Sequence, residues 1–190
     1  MERDILELSF EDYLITIKDV TSFESNSKQE SEDSVLEYIR DPEAKSHYSS
    51  IYNVEITGSF NRSIRLVGNG GATGVNKNSA VIIDQSLYVA IGDAVLSIAL
   101  PDLTLNWAKQ VDEATCFGVF LVENEESLIS RGELQIKRLK LTGDVEWEFS
   151  GKDIFSEWFI IEEDIIEVAD FNKDEYHLNI KTGELVKGPD

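Results

Sequence analysis

The sequence predicts an all-β fold built as a propeller-like array of repeated units. Similar residues recur every 40 positions, without a gap, through the last 110 residues. Each repeat also contains four short β-type runs separated by turn residues, and this combination is typical of propeller blades or related stacked β arrays. The recurring sets are Val81/Leu121/Ile161, Leu96/Ile136/Tyr176, Asp102/Thr142/Thr182, Leu105/Val145/Leu185 and Trp107/Trp147/Lys187.

The first 75 residues are expected to supply strands outside the clear repeats. Residues 5–8 and 13–18 predict a hairpin around the acidic link Glu11-Asp12, and residues 51–57 and 63–67 predict a second strand pair. Because three units are too few for a closed propeller, either these strands form a degenerate fourth unit or a second chain completes the ring.

Between these strand pairs, residues 21–45 are rich in Ser, Glu and Asp and predict a partly mobile loop. One short helix is expected inside it. The run from Ser34 to Glu37 has the form of a capping box, and Asp41-Pro42 would end the helix.

The glycine-rich stretch 68–74 predicts a flexible connector. A phosphate-binding loop would continue into Gly-Lys-Ser/Thr and a helix, whereas this stretch continues through Lys77-Asn78 into a strand.

Residues 76–190 carry the three clear repeats, and with the N-terminal part they predict one compact domain. The position shared by Leu105, Val145 and Leu185 is expected to be equivalent and buried in each unit. The expected strands are 80–83, 87–91, 95–100 and 103–107; runs at 119, 128–129, 134–141 and 145–149; and runs at 158, 165–169, 175–180 and 184–186.

Two turn motifs connect these repeats to a known family. The segments LTGDVEW (141–147) and IKTGELV (180–186) resemble the blades of quinoprotein-like or WD-like β-propellers. The second half is also similar to small uncharacterised bacterial cytosolic proteins with a DIF…DFN…TGE layout, here at 153–155, 170–172 and 182–184. The resemblance implies the fold and leaves the function open, because propellers serve as enzymes and as binding scaffolds.

Charge limits the classes of partner. The chain carries 37 acidic and 17 basic residues, a formal charge of −20. This balance argues against nucleic acid and anionic membranes as partners and favours a basic protein. The run from Asp144 to Glu175 alone has 12 acidic residues and two lysines. The single Cys116 and the lack of a secretory leader pattern at the first residues predict a cytoplasmic protein.

The sequence contains no constellation typical of catalysis, and no cofactor or metal is expected. His47 and His177 lie too far apart in sequence for a short-spacing metal motif. The run Asp170-x-Asn172-x-Asp174 begins like a calcium loop, but its sixth and twelfth positions fail the pattern, which favours a turn. Cys116 has no nearby cation and is interpreted as structural. Trp107, Trp147 and Trp158 are expected to pack within or between units.

These observations favour a non-enzymatic module that binds another protein. A more specific hypothesis is an acidic immunity-type protein that neutralises a basic partner. The candidate partner-binding residues are Glu146, Glu148, Glu162, Glu163 and Asp164. The alternative is an enzyme or small-ligand binder that uses the central funnel of the array, and two copies of the chain completing a ring is a further possibility.

Overall fold

The computed structural model describes residues 5–21, 48–122 and 125–189, together with the backbone of 34–37. These parts form 17 strands in four sheets and contain no helical element. No membrane-spanning helix is found in the described parts of the chain. The all-β, propeller-like fold predicted from the repeat is confirmed.

The N-terminal strands form a sheet of their own, in the order β1-β2-β4-β5-β3. Its first four members are antiparallel neighbours, so this sheet provides the fourth unit. The expected helix at residue 34 is wrong, because β3 pairs in parallel with β5 at the edge of the sheet. The rest of the predicted loop 21–45 lies outside the described residues, apart from Thr21. The strands are β1 Ile5–Phe10, β2 Tyr13–Asp19, β3 Ser34–Glu37, β4 Ser50–Thr57 and β5 Arg62–Gly68.

Three further sheets follow, each a four-stranded antiparallel meander. Their strands agree closely with the 40-residue register. The second sheet holds β6 Ala80–Ile83, β7 Ser86–Ile91, β8 Ala94–Ala99 and β9 Thr104–Gln110. The third holds β10 Cys116–Val122, β11 Ser127–Gly132, β12 Gln135–Lys140 and β13 Val145–Ser150. The fourth holds β14 Phe159–Glu162, β15 Ile165–Ala169, β16 Glu175–Asn179 and β17 Leu185–Lys187.

The core lies between neighbouring sheets. One hydrophobic cluster joins the first and second sheets, one joins the second and third, and one joins the third and fourth. No such cluster joins the fourth sheet to the first within the described residues. The described sheets therefore form an open stack, in which burial of apolar side chains between sheets is the main stabilising term.

A repeated tryptophan contact links the second sheet to the third and the third sheet to the fourth. Trp107 on β9 donates to the carbonyl of Leu141 at 2.9 Å and covers Gly143. One repeat later, Trp147 on β13 donates to the carbonyl of Ile180 at 3.1 Å and covers Gly183. Both glycines have positive φ, and a Cβ on either would lie within 3 Å of the indole ring. The Thr-Gly turns are thus required by the tryptophan of the preceding sheet, which confirms inter-unit packing for these two residues.

The predicted burial of Leu105, Val145 and Leu185 is wrong, although the three positions are equivalent. Their exposed fractions are 42%, 36% and 49%. Each residue follows the turn into the last strand and stands beside a β-bulge. The bulge lies on an outer edge strand, so these side chains stay in solvent while the tryptophan two residues later in the second and third sheets packs inward.

Each sheet presents one row of side chains toward the next sheet of the stack, and in the fourth sheet this row becomes mostly polar. The second sheet presents the row Val81, Tyr88, Ser97 and Trp107 to the third sheet. The third sheet presents Phe120, Ile129, Arg138 and Trp147 to the fourth. The same row of the fourth sheet is Ile160, Glu167, His177 and Lys187. A polar outer row is typical of the terminal unit of a repeat array.

The glycine-rich stretch lies in the connector between the first two sheets, as predicted, but it is not a loose tether. Gly71 N–H donates to the carbonyl of Ala114 at 2.7 Å, and Asp93 N–H donates to the carbonyl of Asn69 at 2.9 Å. The hydroxyl of Thr73 accepts from Tyr52 and from the amide of Gly92. These bonds hold the connector against the sheets on both of its sides.

Candidate functional site: the acidic end of the stack

The four sheets are stacked in the same orientation, so the stack has two chemically distinct ends. At the turn end lie the turns between the first and second strands and between the third and fourth strands of each sheet. Contacts between sheets at this end include Arg62 with Asp102 at 3.0 Å and the two tryptophan contacts described above. At the linker end lie the connectors between sheets and the turns between second and third strands.

The turn end carries a set of acidic side chains from all four sheets. Each sheet places an acidic residue or pair in the turn between its first two strands, and all of them except the half-buried Glu125 are exposed. Within the described parts of the chain, Glu125 alone among them takes part in an ion pair. We call this set the acidic rim; its members are Glu11, Asp12, Asp84, Glu125, Glu126, Glu163 and Asp164.

The backbone of the acidic rim is one that favours glycine or asparagine. Glu11, Asp84, Glu126 and Glu163 have φ values of 51°, 50°, 46° and 49°. A left-handed conformation costs a non-glycine residue roughly 1 kcal/mol, and glutamate gains nothing locally in return. Glu11, Glu126 and Glu163 therefore occupy turn positions where glycine or asparagine would stabilise the fold more. The sequence signal for this rim was the recurring acidic turn before each second strand, which the 40-residue register alone did not single out.

One charged network connects the acidic rim to the interface between the third and fourth sheets. Arg138 is nearly buried and donates to Glu125 at 2.6 Å, to Glu146 at 2.7 Å and to the carbonyl of Ile180 at 2.9 Å. Lys181 binds the other oxygen of Glu125 at 2.9 Å. The hydrogen bond from Lys181, and then that from Arg138, lowers the pKa of Glu125, while the bond to Glu125 raises the pKa of Lys181. Glu125 is therefore a fixed carboxylate at neutral pH.

The five predicted partner-binding residues fall in three different places. Glu162, Glu163 and Asp164 are exposed at the first turn of the fourth sheet, and the last two belong to the acidic rim. Glu146 binds Arg138. Glu148 pairs with Lys137 at 2.9 Å and faces a cleft that Gln110 and Glu113 also line, on the opposite face of the third sheet from Arg138.

Two carboxylates at the linker end, those of Asp112 and Asp170, are buried and bonded to the backbone. One oxygen of Asp112 accepts from the amides of Ala114 and Thr115, and the other accepts from Leu134 and Gln135, at 2.7 to 3.0 Å. Asp170 accepts from the amides of Asn172 and Asp174 and from the Tyr176 hydroxyl. The turn predicted at 170–174 is thus organised by Asp170, whose oxygens face N–H and O–H donors.

The remaining candidate residues have structural surroundings. Cys116 is buried between the second and third sheets, and burial raises its pKa to about 12, as expected for a structural thiol. His177 lies on the outer row of the fourth sheet, 3.5 Å from Glu167. His47 lies outside the described residues. No cluster of three metal-binding side chains occurs among the described residues. Trp158 is 39% exposed and so only partly fits the predicted packing role.

Comparison with known proteins gives a fold and no family. No protein-family model and no curated protein matches the chain. Among solved structures, the computationally designed Ika8 protein is similar over 97% of this chain and 61% of its own, with TM-score 0.54 and 9% identity. A chain of the Mitotic Checkpoint Complex is similar over 75% of this chain and 48% of its own, with TM-score 0.53 and 12% identity.

The WD40 domain of Neurospora crassa Pan2 is also similar, over 59% of this chain and 37% of that one, with TM-score 0.49 and 14% identity. The chain thus spans between 37% and 61% of the length of these three structures. At such identities the likeness concerns the fold alone. The chain is structurally similar to β-propellers, as an open stack of four blade-like sheets.

Proposed function

We propose that this chain is a non-enzymatic protein-binding module whose acidic rim engages a basic protein. The observation that carries the proposal is the convergence of seven turn carboxylates from all four sheets on one end of the stack. Six of them take part in no ion pair with another described residue. A surface of one sign speeds association with a partner of the opposite sign and discriminates against partners of the same sign.

The placement of the acidic residues supports this assignment better than total charge does. Charge that serves only solubility can be distributed over any exposed position, including strand faces. Here carboxylates occupy the first turn of every sheet, and in three of the four sheets a glutamate takes a left-handed position that costs conformational free energy. We assign Glu162, Glu163 and Asp164 to the binding surface, and we assign Glu146 to its support through Arg138. Glu148, on the opposite face of the third sheet, is proposed as a peripheral contributor to the acidic field.

The more specific form of the proposal is an immunity-type role. A basic nucleic-acid-binding cleft in a toxin would be blocked by an acidic surface that occupies the place of the phosphates. The open stack provides such a surface on a rigid scaffold, because the rim turns are two-residue connections between paired strands in three of the four sheets.

Affinity capture with matched baits tests the proposal. The wild-type chain is compared with a variant in which Asp84, Glu126, Glu163 and Asp164 are changed to Asn or Gln. We expect the wild type to retain a basic protein from the native host at low salt, to release it as salt rises, and to retain more of it than the variant. Capture of neutral or acidic proteins only, with the same yield for both baits, would contradict the proposal.

A further inference from the structure

A groove at the acidic end lies between the innermost strands of the third and fourth sheets. Its volume is 740 Å³, within the range of roughly 300–1,000 Å³ that is usual for binding pockets. Its walls are Phe120, Leu121 and Val122 from β10 and Ile161 from β14. At one end of it stand the turn residues Glu163 and Asp164, with Lys181 close by.

The apolar wall of this groove is held rigidly and is open to solvent. Phe120 packs against Phe159 with ring centroids 4.9 Å apart, which ties the third sheet to the fourth beside the groove. Phe120 and Ile161 face each other's sheets and are only half-buried, so part of the wall remains in solvent. Apolar side chains in a preformed groove gain free energy when an apolar group covers them, at about 25 cal/mol per Å² removed from water.

The charges around the groove select what can fill it. Glu125 is already bound by Arg138 and Lys181, so its charge is compensated. Glu163 and Asp164 make no ion pair with a described residue. The charge of Asp164 acts on Lys181 over a longer distance and, after Glu125, helps to raise the pKa of that lysine, while Glu163 leaves the mouth of the groove negative. An apolar wall next to unpaired carboxylates matches a side chain with a hydrocarbon stem and a cationic head. A second copy of the chain does not match, because each copy carries a charge of −20.

We infer that this groove receives a lysine or arginine side chain of the basic partner, with its methylene groups along Phe120 and Ile161 and its cation at Glu163 and Asp164. The inference rests on the proposed function and assigns it an anchoring point. Lys181 illustrates the chemistry within the chain itself, since its ammonium lies 2.9 Å from a carboxylate oxygen at the side of the same groove. A buried anchor residue inside a ring of weaker contacts is the usual arrangement in protein–protein interfaces.

The test is an NMR titration of the isotope-labelled chain with the peptide acetyl-Lys-Leu-Lys-amide. A control peptide with both lysine side chains acetylated keeps the shape and removes the charge. We expect shift changes concentrated at residues 120–122, 161–164 and 180–181 with the charged peptide. Equal binding of the acetylated peptide would identify a site for apolar small ligands, and changes spread evenly over all acidic turns would indicate charge alone; either result would overturn the inference.

Two matched double variants make the result specific. Glu163→Gln with Asp164→Asn should weaken peptide binding roughly five- to tenfold, as expected for the loss of two exposed charge contacts. Glu7→Gln with Asp153→Asn removes the same charge at two exposed positions away from the acidic rim and should leave binding unchanged. If the natural partner binds in a salt-sensitive manner but is equally affected by both double variants, the groove is wrong and the proposed function stands. If no basic partner binds, the proposed function fails independently of the peptide result.

Discussion

The two ends of the stack use the same residue types for opposite purposes. At the linker end, Asp112 and Asp170 are buried and their oxygens accept hydrogen bonds from backbone amides and a tyrosine hydroxyl. At the turn end, Asp84, Glu126 and Glu163 are exposed and make no ion pair with a described residue. Charge composition cannot separate these two groups. The difference teaches that only part of the acidic excess is available to a partner, while the rest organises the connections between sheets.

Removing a linker-end carboxylate should have the largest effect on stability. In Asp112→Ala, the amides of Ala114, Thr115, Leu134 and Gln135 lose their acceptor inside the protein, which should lower the free energy of unfolding by about 3 kcal/mol. Asp164→Ala makes the same chemical change at the turn end and should stay within about 0.5 kcal/mol of the wild type. Urea unfolding followed by tryptophan fluorescence measures both. Equal losses would remove the distinction between the two ends.

Loss of a tryptophan contact between sheets should lower the free energy of unfolding more than a change at the equivalent position of the fourth sheet, which is a lysine. Trp147→Ala removes the indole that covers Gly183 and donates to Ile180, and should cost about 2–3 kcal/mol. Lys187→Ala changes the equivalent position of the fourth sheet, where the side chain is 64% exposed, and should cost less than about 0.5 kcal/mol. The same unfolding experiment applies. A large loss for Lys187→Ala would show that the fourth sheet packs against something at its outer face.

The smallest expected effect is the pH dependence of stability that Glu125 causes, where the acidic rim meets the interface between the third and fourth sheets. The pKa of Glu125 lies below its ordinary value of 4.5, so its contribution to stability is complete above that pH and is lost as pH falls through the lower, folded-state value. As the pH is lowered beneath about 4.5, the urea concentration at the midpoint of unfolding should therefore decrease more steeply for the wild type than for Glu125→Gln. Glu126→Gln serves as the control and should follow the wild type. Parallel curves for wild type and Glu125→Gln would mean that this ion pair contributes nothing to folding.

The sequence predicted the repeat and most strands because the 40-residue register reports backbone periodicity directly. It also placed the Trp107 and Trp147 packing contacts and the Asp170 turn correctly. It failed at Ser34, where a local capping pattern was overridden by pairing of β3 with β5, a partner about 30 residues away. The predicted burial of Leu105 was wrong, because the exposure of this side chain depends on the β-bulge beside it on the outer edge strand of its sheet.

The site was less accessible to sequence reasoning. An acidic run such as 144–175 mixes residues from both ends and both faces of a sheet, since alternate residues of a strand point in opposite directions. Glu146 and Glu148 are two positions apart and would point to the same face of a regular strand. They point to opposite faces of the third sheet because a β-bulge lies beside Glu146. The acidic rim instead combines turns from distant parts of the chain, and only the stacking of the sheets brings them to one end.

The central claim is tested most directly by the association rate of the basic partner with two variants of equal charge. One variant neutralises the rim residues Asp84, Glu126, Glu163 and Asp164; the other neutralises four exposed carboxylates away from the rim, Glu7, Glu113, Asp153 and Glu175. Rates measured by stopped flow across a range of ionic strength should fall at least tenfold for the rim variant at low salt and by less than twofold for the other. Equal reductions in the two variants would contradict the claim, because they would mean that the partner responds to total charge and not to the acidic end of the stack.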